Sequence, residues 1–587
     1  MPMKTRTLLL ASLLALSPLP GLAQQEASRT LLFGGPIYSA NPAQPHPEAV
    51  GIEGDKIIAV GSYQQVARQL GEQATRIDLK GRYLMPGLID SHVHAAFAGF
   101  QEMTVQFPDA MQSVSQVEQF LAKSQQDRRL HLGEVTLFSN VSLDYWHHIP
   151  LLDSVFNGTR YQRTPVVLAG SDAHTGWVNQ AMLRKAGIDA KTLAGRHAGL
   201  KENFGRTADG RLNGFASEGG WDAILKALPP VSDAAIAEAI TLAATQLNQL
   251  GITAWMDPIS NIRPLAPIFN AQPDRHDEGL LPAYTQLSLA GKLTGHVSAL
   301  ALVGIHASPA IIDDVVALQQ KFTNAPDVSL VGIKILQDGV IEYPSQSAKL
   351  SQPYLNRPGY SGKDDLNKQR FNELIRNADA HQLIAHFHAI GDRAVRESLD
   401  AIAYARANNV DHGVLHSITH LEVVSPASIA RFQPLNVAAS MQLLWAGKNA
   451  ATTTLLEGKV PAALLSRLYP AGSLLQSGAI VAGASDWPVS TPNPFLAMYT
   501  AVTRQGELGM LPPTSEQISR QAILQAYTLN AAKVIGQDKR AGSIEVGKSA
   551  DLVLLDRNLE QVDAERLKET RVLWTMFKGQ RIYQAGH

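Results

Sequence analysis

The chain of 587 residues is 45% apolar, so it can bury a large core, and its length suggests about three or four domain-sized units or one large barrel with attachments. Lys and Arg total 51 against 52 for Asp and Glu, and there is no basic tract, so nothing indicates binding to nucleic acid or to an anionic membrane surface. Cysteine is absent, which excludes disulfides, cysteine-ligated zinc and cysteine nucleophiles. We therefore expect a small-molecule partner, and any metal must be held by histidine, carboxylate or modified lysine.

Residues 1–23 predict a cleavable signal peptide. Lys4 and Arg6 precede an apolar run at residues 8–16, and Gly-Leu-Ala at residues 21–23 supplies the small side chains that a signal peptidase needs. The run of about nine apolar residues is too short to cross a bilayer, which takes about twenty. We expect the mature chain to begin at Gln24, to be periplasmic or secreted, and to have no membrane association after cleavage.

Short β-like runs, separated by turn residues, occupy both ends of the mature chain. They lie at residues 30–33, 49–52, 56–60, 550–555 and 572–577. Because isolated hairpins are marginally stable in water, the two terminal regions should fold together. The sequence therefore predicts one composite β-sandwich domain from residues 24–85 and residues 541–587.

Between these ends, residues 86–540 alternate strand-like apolar runs with amphipathic helical stretches such as residues 234–250 and 392–407. The runs lie at residues 165–169, 252–256, 330–335, 383–388 and 479–483. Such alternation favours parallel strands covered by helices, and several runs end in a chemically capable residue, as the strands of a (β/α)8 barrel do. The long gap after His94 predicts a large insertion over the barrel mouth, at about residues 97–250.

The apolar run at residues 84–89 ends in Asp90-Ser91-His92-Val93-His94. Side chains alternate along a strand, so His92 and His94 point to the same side of a strand end. Two neutral imidazoles directed at one point form half of a metal site. A single His-x-His pair is more often two ordinary histidines, so the remaining ligands must come from other strand ends.

Lys334 lies within an otherwise apolar run. A buried lysine is costly unless its charge is removed or paired. Reaction with carbon dioxide would turn the amine into a carbamate, which is able to bridge two cations. A snorkelling or ion-paired lysine is the alternative interpretation.

Three further polar residues lie at or near the ends of apolar runs. His388 precedes a glycine turn and an acidic helix start, His420 follows residues 415–419, and Asp486 precedes a Trp-Pro pair. Each of these residues, taken alone, is more often a satisfied polar group than a catalyst.

Taken together and in order, these residues resemble the ligand set of the amidohydrolase superfamily of metal-dependent hydrolases, and most closely its branch of N-substituted formamide deformylases (amidohydrolase family 3). The flanking blocks resemble that branch as well, over nearly the whole mature chain. They are Pro-Gly-Leu-Ile-Asp-Ser-His-Val-His at residues 86–94, Ser-Asp-Ala-His-Thr-Gly-Trp-Val-Asn at 171–179, Ile-Lys-Ile at 333–335 with Asp-Gly at 338–339, His-Ala-Ile-Gly-Asp-Arg-Ala at 388–394, and Ser-Asp-Trp-Pro at 485–488.

The resemblance implies a (β/α)8 TIM-like barrel with a composite β-sandwich, and it implies a role for each ligand. His92, His94 and Asp486 would bind the more buried metal, His388 and His420 would bind the second, and a carboxylated Lys334 would bridge them. Two zinc ions are expected, with manganese or iron as alternatives.

Two assignments stay open at this point. Residues 415–422 lack the Arg and Glu that often precede the equivalent histidine in this branch, so His416 competes with His420, and His386 likewise competes with His388. We favour His420 and His388 because Thr-His-Leu-Glu and His-Ala-Ile-Gly-Asp match the family blocks.

The implied reaction is hydrolysis of a C–N bond, in an amide, an N-substituted formamide or a cyclic amide, through a metal-activated hydroxide with Asp486 as general acid/base. His174, Trp177 and Asn179 are candidates for the substrate pocket, although a structural role is at least as plausible for Trp177. The alternatives are a one-metal deaminase or isomerase of the same superfamily and a non-catalytic binding or regulatory homologue. The complete ligand set argues against the last of these. The chain is compatible with a homodimer.

Overall fold

The computed structural model describes residues 29–109, 111–269 and 276–586. The predicted signal peptide lies outside the described residues. Within the described ranges, every helix is too short or too polar to cross a membrane.

The central sheet consists, in the described part of the chain, of eight parallel strands that are neighbours in chain order. They are β1 (Leu88–Asp90), β2 (Ile252–Asp257), β3 (His296–Leu302), β4 (Val328–Leu336), β5 (Ile384–Ala389), β6 (His416–His420), β7 (Val437–Met441) and β8 (Val481–Gly483). Strands β2, β3, β5, β6 and β7 are buried at every position, as expected of parallel strands covered on both faces.

The first and last of these strands meet beyond their carboxyl ends. The amide of Ser91 donates to the carbonyl oxygen of Gly483 at 3.0 Å, and the amide of Asp486 donates to that of His92 at 2.9 Å. The sheet is therefore a nearly closed barrel, and the predicted α/β fold with a TIM-like barrel is confirmed.

The crossovers between the strands carry the covering helices. Helix Asp233–Gln249 shows the pattern, because Ser232 caps its first turn and its residues Ile236, Ile240 and Leu247 are buried at helical spacing. The helices of this layer are Ala95–Glu102, Asp233–Gln249, Leu281–Leu289, Ile311–Lys321, Lys368–Ala380, Asp392–Asn408, Pro426–Ile429, Ala462–Leu465, Ala471–Gln476, Pro494–Thr503, Arg520–Ala526 and Leu529–Val534.

Between β1 and β2 the described residues form a second sheet, which we call the inserted sheet. Its strands are, in chain order, Val105–Gln106, His131–Leu132, Val135–Val141, Val166–Gly170, Thr175–Val178, Phe204–Arg206 and Leu212–Ser217. Its helices are Val114–Ser124, Ile149–Phe156, Gln180–Ala186, Ala190–Ala194 and Glu218–Leu225. Separate apolar clusters on its two faces give this region a core of its own.

The two ends of the chain meet in a pair of facing sheets. One sheet contains Arg29–Phe33, Ala49–Glu53, Lys56–Gly61 and Thr75–Asp78, and helix Tyr63–Leu70 packs on it. The other contains Tyr83–Pro86, Leu552–Leu555, Val572–Phe577 and Gln580–Gln584. Strand Tyr83–Pro86 pairs antiparallel with Leu552–Leu555, so the second sheet takes strands from both ends of the chain. Leu32, Ile52, Leu84 and Trp574 belong to the cluster buried between the sheets.

The remaining elements are short. A hairpin joins Gln505–Gly506 to Gly509–Met510. The 3-10 helices are Arg128–Leu130, Leu143–His147, Ala198–Asn203, Leu443–Ala446, Thr514–Glu516 and Ala564–Glu569.

Candidate active site

All of the predicted metal ligands line one cavity at the carboxyl ends of the barrel strands. His92 and His94 follow β1, and Asp486 follows β8. Lys334 lies on β4, His388 on β5 and His420 on β6. Parallel strands present their carboxyl ends on the same face of a barrel, which is why residues far apart in the sequence meet there.

His92, His94 and Asp486 form a compact group of possible metal ligands, in which one donor atom from each residue lies within 4.8 Å of the others. The Nε2 atoms of His92 and His94 lie 3.1 and 3.2 Å from Oδ1 of Asp486. Burial lowers the pKa of His92 well below its usual value, so its ring is neutral and able to bind a cation. Burial alone would raise the pKa of Asp486, but the neighbouring His94, His420 and Lys334 lower it to about 2 and keep the carboxylate ionised.

His388 and His420 form the adjacent half of the site, with ring centroids 4.4 Å apart. A ring nitrogen of His388 lies 3.1 Å from the carbonyl oxygen of Gly339, and Nδ1 of His420 lies 3.0 Å from Oε1 of Gln442. Burial lowers the pKa of His388 to about 3 and that of His420 well below its usual value. Each ring is therefore neutral, is oriented by one protein contact and keeps its other nitrogen for a ligand.

His386, the alternative to His388, lies behind His92 and does not line the cavity. Its Nε2 atom is 2.6 Å from Nδ1 of His92, and its Nδ1 atom is 2.6 Å from the hydroxyl of Ser417. Both ring nitrogens are thus engaged, and His386 orients the ring of His92.

His416, the alternative to His420, is at the amino end of β6, away from the cavity. Its Nε2 atom lies 3.0 Å from Oδ1 of Asp379, and its Nδ1 atom accepts a hydrogen bond from the amide of Ala385 at 3.0 Å. The structure therefore places His420 in the candidate site and His416 in a buried structural contact.

Lys334 is 1% exposed, and its Nζ atom has no hydrogen-bond partner among the residues that the structure describes. Burial lowers the pKa of this amine to about 7, although the charge of Asp486 opposes the shift. Nε2 of His92 is likewise buried, and its 3.1 Å contact with Asp486 is not a hydrogen bond. Buried polar atoms without partners are costly, and these atoms share one cavity floor with ionised Asp486, so the set fits divalent cations.

The backbone is strained where it presents two of these side chains. His420 and Asp486 have φ values of 74° and 57°, and Leu421 has a φ of 54°, all in the left-handed region. A non-glycine residue there costs of order 1–3 kcal/mol and persists only when its surroundings fix it. The amide of Leu421 donates to the carbonyl oxygen of Ala389, which holds this segment against β5.

The cavity measures about 720 Å³ and lies between the barrel mouth and the inserted sheet. Its walls are largely apolar and include Phe97, Phe100, Leu137, Trp221, Leu336 and Leu444. Nε1 of Trp146 donates to the hydroxyl of Thr175, and Nε1 of Trp445 donates to that of Ser490. Because these indole donors are already engaged, the rings offer hydrocarbon to the cavity, which suits a mainly apolar small molecule.

His174 lines this cavity, whereas Trp177 and Asn179 do not. Trp177 is fully buried in the inserted sheet, and its Nε1 atom donates to the carbonyl oxygen of Asn213. The side-chain oxygen of Asn179 caps helix Gln180–Ala186, and its amide nitrogen donates to backbone carbonyl oxygens. Both residues hold the inserted sheet together instead of lining the cavity, and their contact with substrate stays a prediction.

Glu342, Glu422 and Tyr469 also line the cavity and were not predicted from the sequence. Burial, reinforced by the charge of Asp172, raises the pKa of Glu342 to about 7. Burial and the charge of Glu342 raise the pKa of Glu422, which is hydrogen-bonded by Tyr469, well above its usual value. The sequence signal that could have found these two glutamates is their position, because Glu422 lies two residues beyond His420 and Glu342 lies in the loop after β4.

A near-closed parallel barrel with these donor groups at its mouth defines a metal-dependent hydrolase. A family model described as "Amidohydrolase family" matches residues 75–583, and the chain belongs to this family. The predicted membership of the amidohydrolase superfamily is thereby confirmed.

Individual relatives extend over nearly the whole chain. Protein LONG AFTER FAR-RED 3 of Arabidopsis thaliana is 26% identical over 563 residues, which cover 94% of this chain and 91% of the relative. N-substituted formamide deformylase of Arthrobacter pascens is 24% identical over 564 residues, which cover 92% of this chain and 95% of the relative. A protein named N-substituted formamide deformylase, as in the predicted branch, is therefore among the relatives of this chain.

A solved structure shows the same fold. The crystal structure of an uncharacterized metal-dependent hydrolase from Pyrococcus horikoshii has a TM-score of 0.70 at 20% sequence identity, and the match covers 92% of this chain and 99% of that one.

Proposed function

We propose that the protein is an exported amidohydrolase that cleaves the C–N bond of an amide, an N-substituted formamide or a cyclic amide. The observation that carries this proposal is the convergence of His92, His94 and Asp486 on one point of the cavity floor. The relative from Arthrobacter pascens, which is named a formamide deformylase, supports the choice of bond.

The donor groups divide between two cations. His92, His94 and Asp486 would hold one, His388 and His420 would hold the other, and Lys334 as a carbamate would supply oxygen ligands to both. Zinc is the metal that we favour, with manganese or iron as alternatives. Bound cations of this kind lower the pKa of water and polarise a carbonyl group.

Asp486 moves the proton. Its Oδ1 atom faces His92 and His94, while its Oδ2 atom lies 4.0 Å from Nδ1 of His420 and is the oxygen left to exchange a proton. The carboxylate accepts a proton from the attacking water at Oδ2 and returns it to the departing nitrogen. General acid/base catalysis of this type contributes roughly 10²–10⁴-fold.

The cavity walls select the substrate. A site of about 720 Å³ with hydrocarbon walls excludes water around an apolar group and leaves few polar positions to be matched. We therefore expect an amide with a sizeable apolar portion, bound with its carbonyl group towards the cavity floor.

A one-metal deaminase or isomerase is the second candidate. It is favoured by the compactness of the His92, His94 and Asp486 group, which is complete without His388 or His420. Metal analysis separates the two functions, because the hydrolase that we propose holds two equivalents and the alternative holds one.

The direct test combines that analysis with a substrate screen. Purified zinc-loaded protein is incubated with matched amides, N-substituted formamides and cyclic amides, and the released amine and acid are quantified. We expect turnover of at least one series, and its loss in His92→Ala. A protein that releases ammonia from amino-substituted rings, holds one metal equivalent and leaves every amide intact would contradict the proposal.

Export has its own test. Intact-mass measurement on protein recovered from the periplasm or medium should give a chain that begins at Gln24. Retention of residues 1–23, or recovery only from the cytoplasm, would refute export and would leave the proposed reaction untested.

A further inference from the structure

One turn of the inserted sheet reaches the catalytic cavity. Residues 171–174 connect strand Val166–Gly170 to strand Thr175–Val178 and line the cavity. The carboxylate of Asp172 accepts hydrogen bonds from the amide of His174 at 3.1 Å, and from the amide and hydroxyl of Thr175 at 3.0 and 2.9 Å. Three bonds to one carboxylate fix the turn in a single geometry.

The turn is strained as well as fixed. Ala173, which precedes His174, has a φ of 58°, and Glu218, whose amide donates to the carbonyl oxygen of His174 at 2.8 Å, has a φ of 46°. Backbone strain of this kind is common at sites where a side chain must be held in one direction. The residue before His174 and the residue that hydrogen-bonds to its carbonyl oxygen are therefore both held in costly backbone conformations.

That imidazole faces the second half of the metal site. Its ring centroid lies 5.9 Å from that of His388 and 4.8 Å from that of Phe269. Its Nδ1 atom is buried and has no hydrogen-bond partner in the described part of the chain. A buried polar atom without a hydrogen bond is unfavourable, so this nitrogen is available to a group of a bound substrate.

Several other polar atoms near this turn are already engaged. The carboxylate of Asp172 accepts the hydrogen bonds of its own turn, and Trp146 donates to Thr175. The hydroxyls of Ser139 and Thr104 contact each other at 2.5 Å. Glu218 has an oxygen without a partner, but this oxygen is an acceptor when ionised and cannot stabilise negative charge. An imidazole N–H at Nδ1 of His174 can donate a hydrogen bond to such a charge.

We propose that His174 is a catalytic residue, which donates a hydrogen bond from Nδ1 to the carbonyl oxygen of the substrate as negative charge develops there. The ring lies beside His388, where a carbonyl oxygen polarised by the second cation would be found. The inserted sheet is thus part of the active site. The identity of the bond cleaved rests on the function proposed above, but the position of this donor does not.

The kinetic test uses a matched pair of histidines from the same sheet. His131 is exposed on strand His131–Leu132, so His131→Ala is the control for His174→Ala. We expect kcat to fall on the order of 10²–10³-fold in His174→Ala, with less change in KM and no loss of metal, because removal of one oxyanion donor has that effect. Added imidazole should restore part of the rate. A kcat within threefold of wild type would overturn the proposal.

Ligand binding gives a readout that does not need turnover. Acetohydroxamic acid, a small carbonyl compound that binds metal centres, is titrated by calorimetry into zinc-loaded wild type, His174→Ala and His131→Ala, with His174→Gln included because it fills similar space. We expect His174→Ala to bind the hydroxamate at least tenfold more weakly than wild type. His131→Ala should bind it as wild type does. Equal affinities would refute the role of His174. Wild type that binds the hydroxamate through His174 but hydrolyses no amide would instead refute the proposed reaction.

Discussion

The Nε2 atom of His92 lies 3.1 Å from Oδ1 of Asp486, at the junction where the first and last barrel strands meet. The amide of Asp486 donates to the carbonyl oxygen of His92 at 2.9 Å, so backbone and side chains of the two residues both cross this junction. Closure of the barrel and assembly of the candidate metal site therefore depend on the same pair.

We expect Asp486→Asn to separate ligation from proton transfer. Asparagine keeps the size and one oxygen ligand but removes the basic carboxylate, so most metal should be retained while kcat falls on the order of 10²–10⁴-fold. The measurement is kcat on a substrate limited by chemistry, with metal content matched. A variant within about threefold of wild type would remove Asp486 from the mechanism.

His420→Ala is the partner experiment. The ring of His420 stacks on Trp445 and contacts Gln442, and it is not the proposed proton carrier. Its loss should therefore weaken binding of the second metal. We expect one metal equivalent to be lost and part of the rate to return with added zinc or manganese. Failure of added metal to restore any rate, with two equivalents still bound, would contradict this assignment.

Lys334→Ala should abolish most activity and most of the second metal. The amine is buried without a hydrogen-bond partner in the described residues, and only its carbamate offers oxygen ligands to two cations. A short carboxylic acid should restore some activity by occupying the vacated space. Carbon-13 NMR of wild type prepared with labelled bicarbonate should show a carbamate signal that Lys334→Ala lacks. Two metals and full rate in the variant would exclude a bridging role.

Much of the candidate site follows from short-range sequence signals. An apolar run that ends in a polar residue predicts a strand with that residue at its carboxyl end, and a barrel brings such ends together. This reasoning led to His92, His94, Lys334 and Asp486. It could not separate His388 from His386, because both lie on β5 with the same parity. The tertiary structure distinguishes them, since His388 lines the cavity and His386 contacts His92 behind it.

The block at residues 171–179 shows where sequence reasoning stops. His174, Trp177 and Asn179 are close in the chain, but the fold places them in different surroundings. The strand Thr175–Val178 pairs with Leu212–Ser217, which is remote in sequence. This pairing decides which face of the strand is covered. Glu342 was missed for a related reason, because it lies in an irregular loop without periodic pattern.

A buried histidine should make stability depend on pH. The ring nitrogens of His296, at the start of β3, lie 3.1 Å from Asp327 and 2.9 Å from Asp551, so it joins the barrel to the C-terminal strands. Burial alone would lower the pKa of His296, but the charge of Asp551 and the hydrogen bonds to both carboxylates raise it above its usual value. The charged ring therefore stabilises the folded state.

Because the folded-state pKa is raised, this contribution is fully present below about pH 6.5, the usual pKa of histidine, and is lost as pH rises through the folded-state pKa. His296→Gln, which has no charge, should lack this dependence. We expect the difference in unfolding free energy between wild type and variant to be larger at pH 6 than at pH 9. The pKa of Asp327 is lowered, chiefly by His296 and Lys578 against the effect of burial, so that group stays ionised over this range. A constant difference would contradict the prediction.

Deletion of residues 550–587 should destabilise the N-terminal strands. Tyr83–Pro86 would lose its partner Leu552–Leu555, and Leu32 and Ile52 would lose their contact with Trp574. Trp574→Ala should act in the same direction, by about 3–5 kcal/mol for loss of a buried tryptophan. Val546→Ala, at a position 64% exposed, is the matched control. Amide exchange should accelerate across residues 29–86 in the deletion and in Trp574→Ala, and protection unchanged from wild type would show that the two ends fold independently.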